Sequence, residues 1–260
     1  MKRVFCYCLA VLAVVALTPY AFADTVSGTG ADTWQDWNQA NLDVTLGVPY
    51  WNNLSFDYGG SSPANIGNYL TNSGEFAGST AGPGYMRYWG SSTGGAADPN
   101  FYLTSSGSSQ STLEIQIAGF AGSNTFGWYN VATPTVLNPI FSDPTGSGQT
   151  ATFTPSANYG FYFATPDGTF YTQSSLNTVV SGFTSDAGNQ QFALFEGAGD
   201  SYWLGMEDTP LNGGSDADYN DMIVEVSPAT SVSPVPEPGI LLLLGLGLIG
   251  GAGVRRKFSE

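Results

Sequence analysis

Leu113-Glu114-Ile115-Gln116-Ile117 is the stretch that decides the fold of this chain. Apolar side chains fall at every second position with polar ones between them, the period of a strand that has one face on a core and one in water. Outward from it, short aromatic runs read the same way. Phe126-Gly127-Trp128-Tyr129, Gly160-Phe161-Tyr162-Phe163, Thr169-Phe170-Tyr171 and Gln191-Phe192-Ala193-Leu194-Phe195 each predict a strand, because aromatic side chains suit a pleated, half-buried surface. Asp143-Pro144, Pro166-Asp167-Gly168 and Asn212-Gly213-Gly214 supply the turns. Short strands at roughly ten-residue spacing indicate an all-β body, an antiparallel β-sandwich of jelly-roll-like form. Trp34 to Trp37 is expected to form a helical turn, with Asp32 or Thr33 as its cap. Residues 60 to 111 are looser, rich in Gly and Ser, and no internal repeat is present.

Both ends of the chain carry targeting signals. Lys2 and Arg3, the apolar stretch Val4 to Leu17 and the small-x-small triplet Ala21-Phe22-Ala23 read as a signal peptide spanning 1–23, cleaved between Ala23 and Asp24. Cys6 and Cys8 both lie inside it, so the processed protein has neither disulfides nor thiol chemistry. At the other end stand Pro236-Glu237-Pro238, an uncharged segment from Gly239 to Val254 and the basic stop Arg255-Arg256-Lys257. Sixteen residues at about 1.5 Å each span roughly 24 Å, slightly short of a ~30 Å hydrocarbon core. The segment is expected to be a transmembrane helix whose basic end stays in the cytoplasm. This tail resembles the PEP-CTERM sorting signal of Gram-negative bacteria, with Pro236, Glu237, Pro238, Arg255, Arg256 and Lys257 as its signature. The resemblance implies export, transient anchoring in the inner membrane and recognition by an exosortase that removes the tail. Domain boundaries follow: a β-rich body at 24–110 and 111–228, a Pro/Ser linker at 229–238 and the sorting signal at 236–260 with its helix at 239–254.

Charge excludes whole classes of partner. Between Asp24 and Val254 only Arg87 is basic, against twenty of the chain's twenty-one acidic residues, a formal charge of −19 (1 − 20). Such a body repels phosphate backbones, so no nucleic-acid partner is expected. Aromatic residues make up 14% of the chain, which supplies enough core material to argue against disorder.

Catalysis is poorly provided for. There is no histidine anywhere and no lysine in the body. Ser-His-Asp triads, histidine general bases, Schiff bases and most zinc sites are therefore out of reach. Only a carboxylate pair of the glycosidase kind remains, with Glu114, Glu196 and Glu207 as candidates and Trp89, Trp128 and Trp203 as sugar-stacking side chains.

One acidic constellation stands out. Glu207 and Asp208 are followed by Asp216-Ala217-Asp218-Tyr219-Asn220-Asp221, which puts hard oxygen ligands at alternate positions. The spacing opens like an EF-hand loop, but Asp221 stands at the turn-glycine position and Ser227 at the bidentate-glutamate position. Two readings stay open: Glu207, Asp208, Asp216, Asp218, Asn220 and Asp221 hold a calcium ion, or they cap turns through Asx-type hydrogen bonds. Tyr202 to Asp208 and Asp216 to Val226, taken with Phe126 to Tyr129, Tyr159 to Tyr162 and Leu176-Asn177, resemble the DUF4114 family over roughly Ser111 to Val226. Met206 and Met222 stand where Phe or Val would be expected. The resemblance implies a β-rich fold and a calcium-linked acidic loop, and carries over no reaction.

The expected function is a non-enzymatic envelope or extracellular-matrix protein with a structural or adhesive role in exopolysaccharide or biofilm. The alternatives are a calcium-dependent carbohydrate-binding module and a glycoside hydrolase working with carboxylates alone.

Overall fold

The computed structural model describes residues 24–28, 32–36, 66–72, 87–91, 100–105, 107–116, 118, 120–144, 146–155, 157–177, 189–197, 200–211, 215 and 218–229. The expected signal peptide, the linker, the sorting tail with its helix at 239–254, the Asn212-Gly213-Gly214 turn and Asp216 lie outside the described residues. No described helix is long and apolar enough to cross a membrane.

The described strands are β1 (Thr25–Gly28), β2 (Asp32–Asp36), β3 (Arg87–Ser91), β4 (Phe101–Thr104), β5 (Ser109–Gln116), β6 (Thr125–Asn130), β7 (Thr133–Ser142), β8 (Gln149–Phe153), β9 (Asn158–Thr165), β10 (Gly168–Tyr171), β11 (Phe192–Glu196), β12 (Tyr202–Met206) and β13 (Met222–Pro228). A short helix, α1 (Ile66–Asn72), precedes β3. One sheet runs β1-β4-β9-β6-β7, with β10 also on β9; the other runs β2-β3-β11-β12-β13-β5-β8. Every strand pair is antiparallel.

The two sheets share one hydrophobic core. Phe126, Phe161 and Phe163 enter it from the first sheet, and Leu113, Leu194, Leu204 and Val224 from the second. Phe126 stacks on Phe161 with ring centroids 5.1 Å apart, and Phe161 meets Phe153 of the second sheet edge-on at 6.0 Å. Alternation is clean where a strand has one wet face. In β11 and β12 it fails, because their other face is also covered: Ile66 and Leu70 of α1 pack with Tyr88, Phe195, Trp203, Tyr219 and Ile223 in a second cluster. Strands buried on both faces read as continuous apolar runs.

The aromatic–glycine runs have a packing reason. Gly127 pairs with Tyr162 and Tyr129 with Gly160 across β6 and β9. A Cβ on Gly127 would come within 2.6 Å of the Tyr162 ring, and one on Gly160 within 2.4 Å of the Tyr129 hydroxyl. Each tyrosine therefore lies over the other strand's glycine, covering backbone that would otherwise be bare.

The N-terminal segment corrects one expectation. Trp34 lies in strand β2, not in a helical turn, and pairs with Trp89 of β3. Its ring meets Trp89 edge-on at 5.2 Å, stacks on Tyr202 at 6.0 Å and carries the Arg87 guanidinium at 5.7 Å. Those contacts exist only when the segment is extended on the sheet, so tertiary packing overrides local capping. Local spacing does not foretell β7, a ten-residue edge strand holding Pro134 and Pro139, on which Val136 is 58% exposed. Proline on an edge strand removes donors that would invite another chain to pair.

Candidate functional site

β12 and β13 are antiparallel neighbours, with Gly205 opposite Ile223. The residues just after β12 and just before β13 therefore meet at one end of the second sheet. Glu207 extends the β11–β12 ladder, its N–H donating to the Gln191 carbonyl at 3.0 Å. The returning chain forms a parallel bridge between Met206 and Asn220. Tyr219 takes a left-handed backbone conformation there (φ 56°), with its ring buried and its hydroxyl donating to the Gln190 carbonyl at 2.8 Å. Gly205 makes this approach possible, since a Cβ would lie 2.4 Å from both the Tyr219 carbonyl oxygen and Ile66 Cδ1. The Ile66 N–H of α1 closes the corner by donating to the Asp218 carbonyl at 3.0 Å.

Within the corner the sequence-predicted residues separate into two groups. Glu207 and Asp208 are buried, at 1% and 3% exposure, and Asp221 is half-buried beside them. The Asp208 N–H donates to Asp221 Oδ2 at 2.8 Å. Glu207 accepts from the Ser215 hydroxyl and from the Tyr219 N–H. Asp208 accepts from the Phe120 N–H at 2.9 Å and from the Thr209 hydroxyl at 3.1 Å. Asp218 and Asn220 bond to each other: Asp218 Oδ1 accepts the Asn220 N–H at 3.1 Å, and its Oδ2 accepts from the Asn220 side-chain amide. That pair has the Asx-turn geometry.

Electrostatics set the first group apart. Burial, followed by the charges of Glu207 and Asp208, pushes the Asp221 carboxyl up to about 9 from an ordinary 3.8. Like carboxylates crowded out of water cannot all stay ionised without a proton or a cation among them. Arg87, the sole cation of the body, makes its ion pair with Glu196. In chemistry the corner therefore suits a hard divalent cation: its donors are all oxygen and it has negative charge to be neutralised. Among the described residues, no group of three or more carboxylates already surrounds a common metal position.

The glutamates named for hydrolysis are dispersed and engaged. Glu114 on β5 accepts from the Tyr69 hydroxyl at 3.4 Å, Glu196 on β11 pairs with Arg87, and Glu207 lies in the corner. Trp89 and Trp203 are buried, and Trp128 packs its half-buried ring against Phe153 and Tyr159.

Beside the corner lies a polar junction that composition gives little reason to expect. Asn177 Nδ2 donates to the Asn189 carbonyl at 2.7 Å and to Gln191 Oε1 at 3.3 Å, while Asn177 Oδ1 accepts the Tyr171 N–H at 2.7 Å. Gln190 donates to the Thr172 carbonyl at 2.8 Å and accepts the Phe192 N–H at 3.1 Å. These amides tie β10 to the start of β11, and the Gln190 and Gln191 carbonyls in turn hold Tyr219 and Glu207. The Gln190-Gln191 doublet directly before an apolar strand is the one local cue to it.

Residues 99–229 match the family described as Domain of unknown function (DUF4114), and residues 234–257 match the PEP-CTERM protein-sorting motif. No curated protein and no solved structure matches the chain. The sorting motif marks the protein for export and for recognition by exosortase through a C-terminal tail. With 131 of its 260 residues inside the first match, from before β4 to the end of β13, the chain belongs to the DUF4114 family and carries a PEP-CTERM sorting signal behind that domain.

Proposed function

We propose that the protein is a non-catalytic component of the cell envelope or extracellular matrix, structural or adhesive in exopolysaccharide, with a body that calcium stabilises. One observation carries the reading: a sorting tail stands directly behind a β body in which buried carboxylates collect at a single corner. Export by a signal peptide cleaved after Ala23, passage through the inner membrane and exosortase removal of the tail deliver that body to the surface. There it meets neutral glycans, since its charge repels polyanions.

Glu207, Asp208 and Asp221 are the residues that would hold the cation, with Asp216 contributing from the same loop and Asp218 and Asn220 shaping the turn. The ion would supply the positive charge that the corner lacks. Ser215, Tyr219, Phe120 and Thr209 orient the carboxylates through their donors. Enzyme activity has no part in the proposal: the histidine and lysine that most acid–base schemes use are missing from the body, and Glu114, Glu196 and Glu207 are each held by a structural bond.

Two measurements test this. Surface protein from the native gene should yield no peptide from Ile240 to Glu260 by mass spectrometry. Replacing Pro236, Glu237 and Pro238 by alanine should leave the full-length chain in the inner membrane. Intact tails on released protein would overturn the processing route. Co-sedimentation with the host exopolysaccharide should persist in chelator; binding that vanishes with chelator would favour the calcium-dependent carbohydrate-binding module instead. Reducing sugar released from the polysaccharide by the purified chain would replace both readings with the hydrolase.

A further inference from the structure

Among the described strands, β1, β7 and β10 of the first sheet and β2 and β8 of the second are paired on one side only. An edge of this kind offers a row of backbone N–H and C=O groups to any other chain, and proteins blunt it with proline, charge, shortness or a covering group. Four of these five edges are blunted. β7 holds Pro134 and Pro139. β2 begins and ends in an aspartate, Asp32 and Asp36. β10 is four residues long, and its Tyr171 N–H is taken by Asn177 Oδ1 at 2.7 Å. β1 is also four residues long and hangs from Asp24, which is 4% exposed. The Asp24 carboxylate accepts the hydroxyls of Ser109 on β5, at 2.7 Å, and of Tyr159 on β9, and its carbonyl accepts that of Tyr202 on β12.

β8 has none of these devices. Its five residues, Gln149-Thr150-Ala151-Thr152-Phe153, include neither proline nor charge, and the sequence carries no charge from Pro144 to Pro166. One side of β8 pairs with β5, from Ser109 opposite Phe153 to Leu113 opposite Gln149, and no described strand pairs with the other. In an antiparallel pair alternate residues turn both backbone groups away from the partner, so β8 presents donors and acceptors on its outer side. Phe153 and Ala151 pack on the core, which places Thr150 and Thr152 on the opposite face, where both are exposed.

We propose that β8 is a self-association edge: two copies of the chain join β8 to β8, antiparallel about a two-fold axis, so that the seven strands of each second sheet run on as one. Charge selects the occupant. A body with twenty acidic residues and one basic residue repels its own copies over most of its surface. Of the edges that a copy can offer, β2 brings aspartates, β7 lacks donors, and β1 and β10 are short and tied. Its own β8 brings no charge. Centred on Ala151, the pairing sets Thr150 opposite Thr152 on both sides of the axis and keeps Ala151 and Phe153 on the core face of both copies. The charge on the adjoining strand is Glu114 of β5. Across the axis the two β5 strands lie three strand spacings apart, about 14 Å, beyond the ~8 Å over which exposed charges act at physiological salt. An isologous contact of this kind uses up β8 and closes at two copies, since the remaining edges are blunted. With one short strand from each side it belongs among weak, concentration-dependent associations. Neither the sorting tail nor the acidic corner takes part in it.

The test uses the full chain in mild detergent and sedimentation velocity over a series from about 1 μM to 1 mM. The native protein should pass from monomer to dimer within that range. Thr150→Glu with Thr152→Glu sets like charges directly opposite each other across the axis, and should raise the dissociation constant about tenfold or more. Circular dichroism should be unchanged, because both side chains are exposed. Mixed with an equimolar Thr150→Lys/Thr152→Lys chain, the first variant should dimerise again as lysine meets glutamate, and these mixed dimers should weaken as salt rises. A native chain that stays monomeric throughout would overturn the proposal. So would a dimer indifferent to the substitutions, as one held by the C-terminal segment would be, or a mixture that remains monomeric.

Discussion

Asp24 and the Glu207–Asp208–Asp221 corner are both acidic groups removed from water, and they solve that problem in opposite ways. Asp24 accepts hydroxyl donors from three strands. The corner packs three carboxylates side by side, and its donors, though numerous, do not prevent Asp221 from being pushed up to about 9. A solitary buried carboxylate can be satisfied by hydrogen bonds alone, whereas a crowded group also needs a countercharge. The first site is thus complete within the chain, and the second is completed by a proton or a metal ion.

The largest expected effect breaks the first half of that contrast. Asp24→Ala removes the acceptor and leaves the Ser109 and Tyr159 hydroxyls buried without it, which should cost about 2–4 kcal/mol in denaturant unfolding. A loss under about 0.5 kcal/mol would mean that solvent reaches the site. Calcium tests the second half. At a hundredfold excess over its Kd the ion should stabilise the body by about 2.7 kcal/mol. The melting temperature should rise with millimolar calcium and fall with chelator, and a curve indifferent to both would leave the corner to the proton.

The pH dependence distinguishes the two occupants. Without calcium, the folded corner retains a proton that the unfolded chain releases above about 3.8, and keeps it until about 9. Stability from Asp221 is therefore fully present below about 3.8 and drains away as pH climbs through that window. Melting temperature should fall between pH 5 and pH 8 in chelator, and the slope should flatten in calcium, where the ion takes the proton's place. Asp221→Asn sharpens the comparison. It copies the protonated form, so at pH 7 in chelator it should stabilise by about 1 kcal/mol while abolishing the calcium response, whereas Asp24→Asn should destabilise. The same exchange with the same sign at both sites would dissolve the distinction. Of similar size, Ser215→Ala removes one donor to Glu207 and should cost about 1 kcal/mol in chelator.

How much of this could be read beforehand differs by element. The centres of β6, β9, β10 and β11 were legible in their aromatic runs, because Phe126, Tyr129, Phe161, Phe163, Phe170, Phe192 and Phe195 are large apolar side chains that have to be buried. β7 was not, since its two prolines read as breakers and only its position at the sheet edge makes them tolerable. Trp34 was misread because its partners Trp89 and Tyr202 lie 55 and 168 residues away. At the corner, clustered acids were visible as a pattern. Which of them crowd together and which merely close a turn depends on the backbone of Tyr219, and local spacing does not encode that. Asp24 was visible only as the residue after an expected cleavage site, and its place between the sheets follows from contacts 85, 135 and 178 residues away.

The reciprocal tyrosine–glycine pairs of β6 and β9 have a mechanical consequence for any pull applied to the body. If β6 slid by two residues along β9 in one direction, Tyr129 would be driven onto Tyr162; in the other, two glycines would face each other over a void. Either displaced position gives up both covered glycines, so the two strands act as a toothed key that resists shear along its length. A pull on the body must then separate the strands outright, because no sequence of small slips lies open to it.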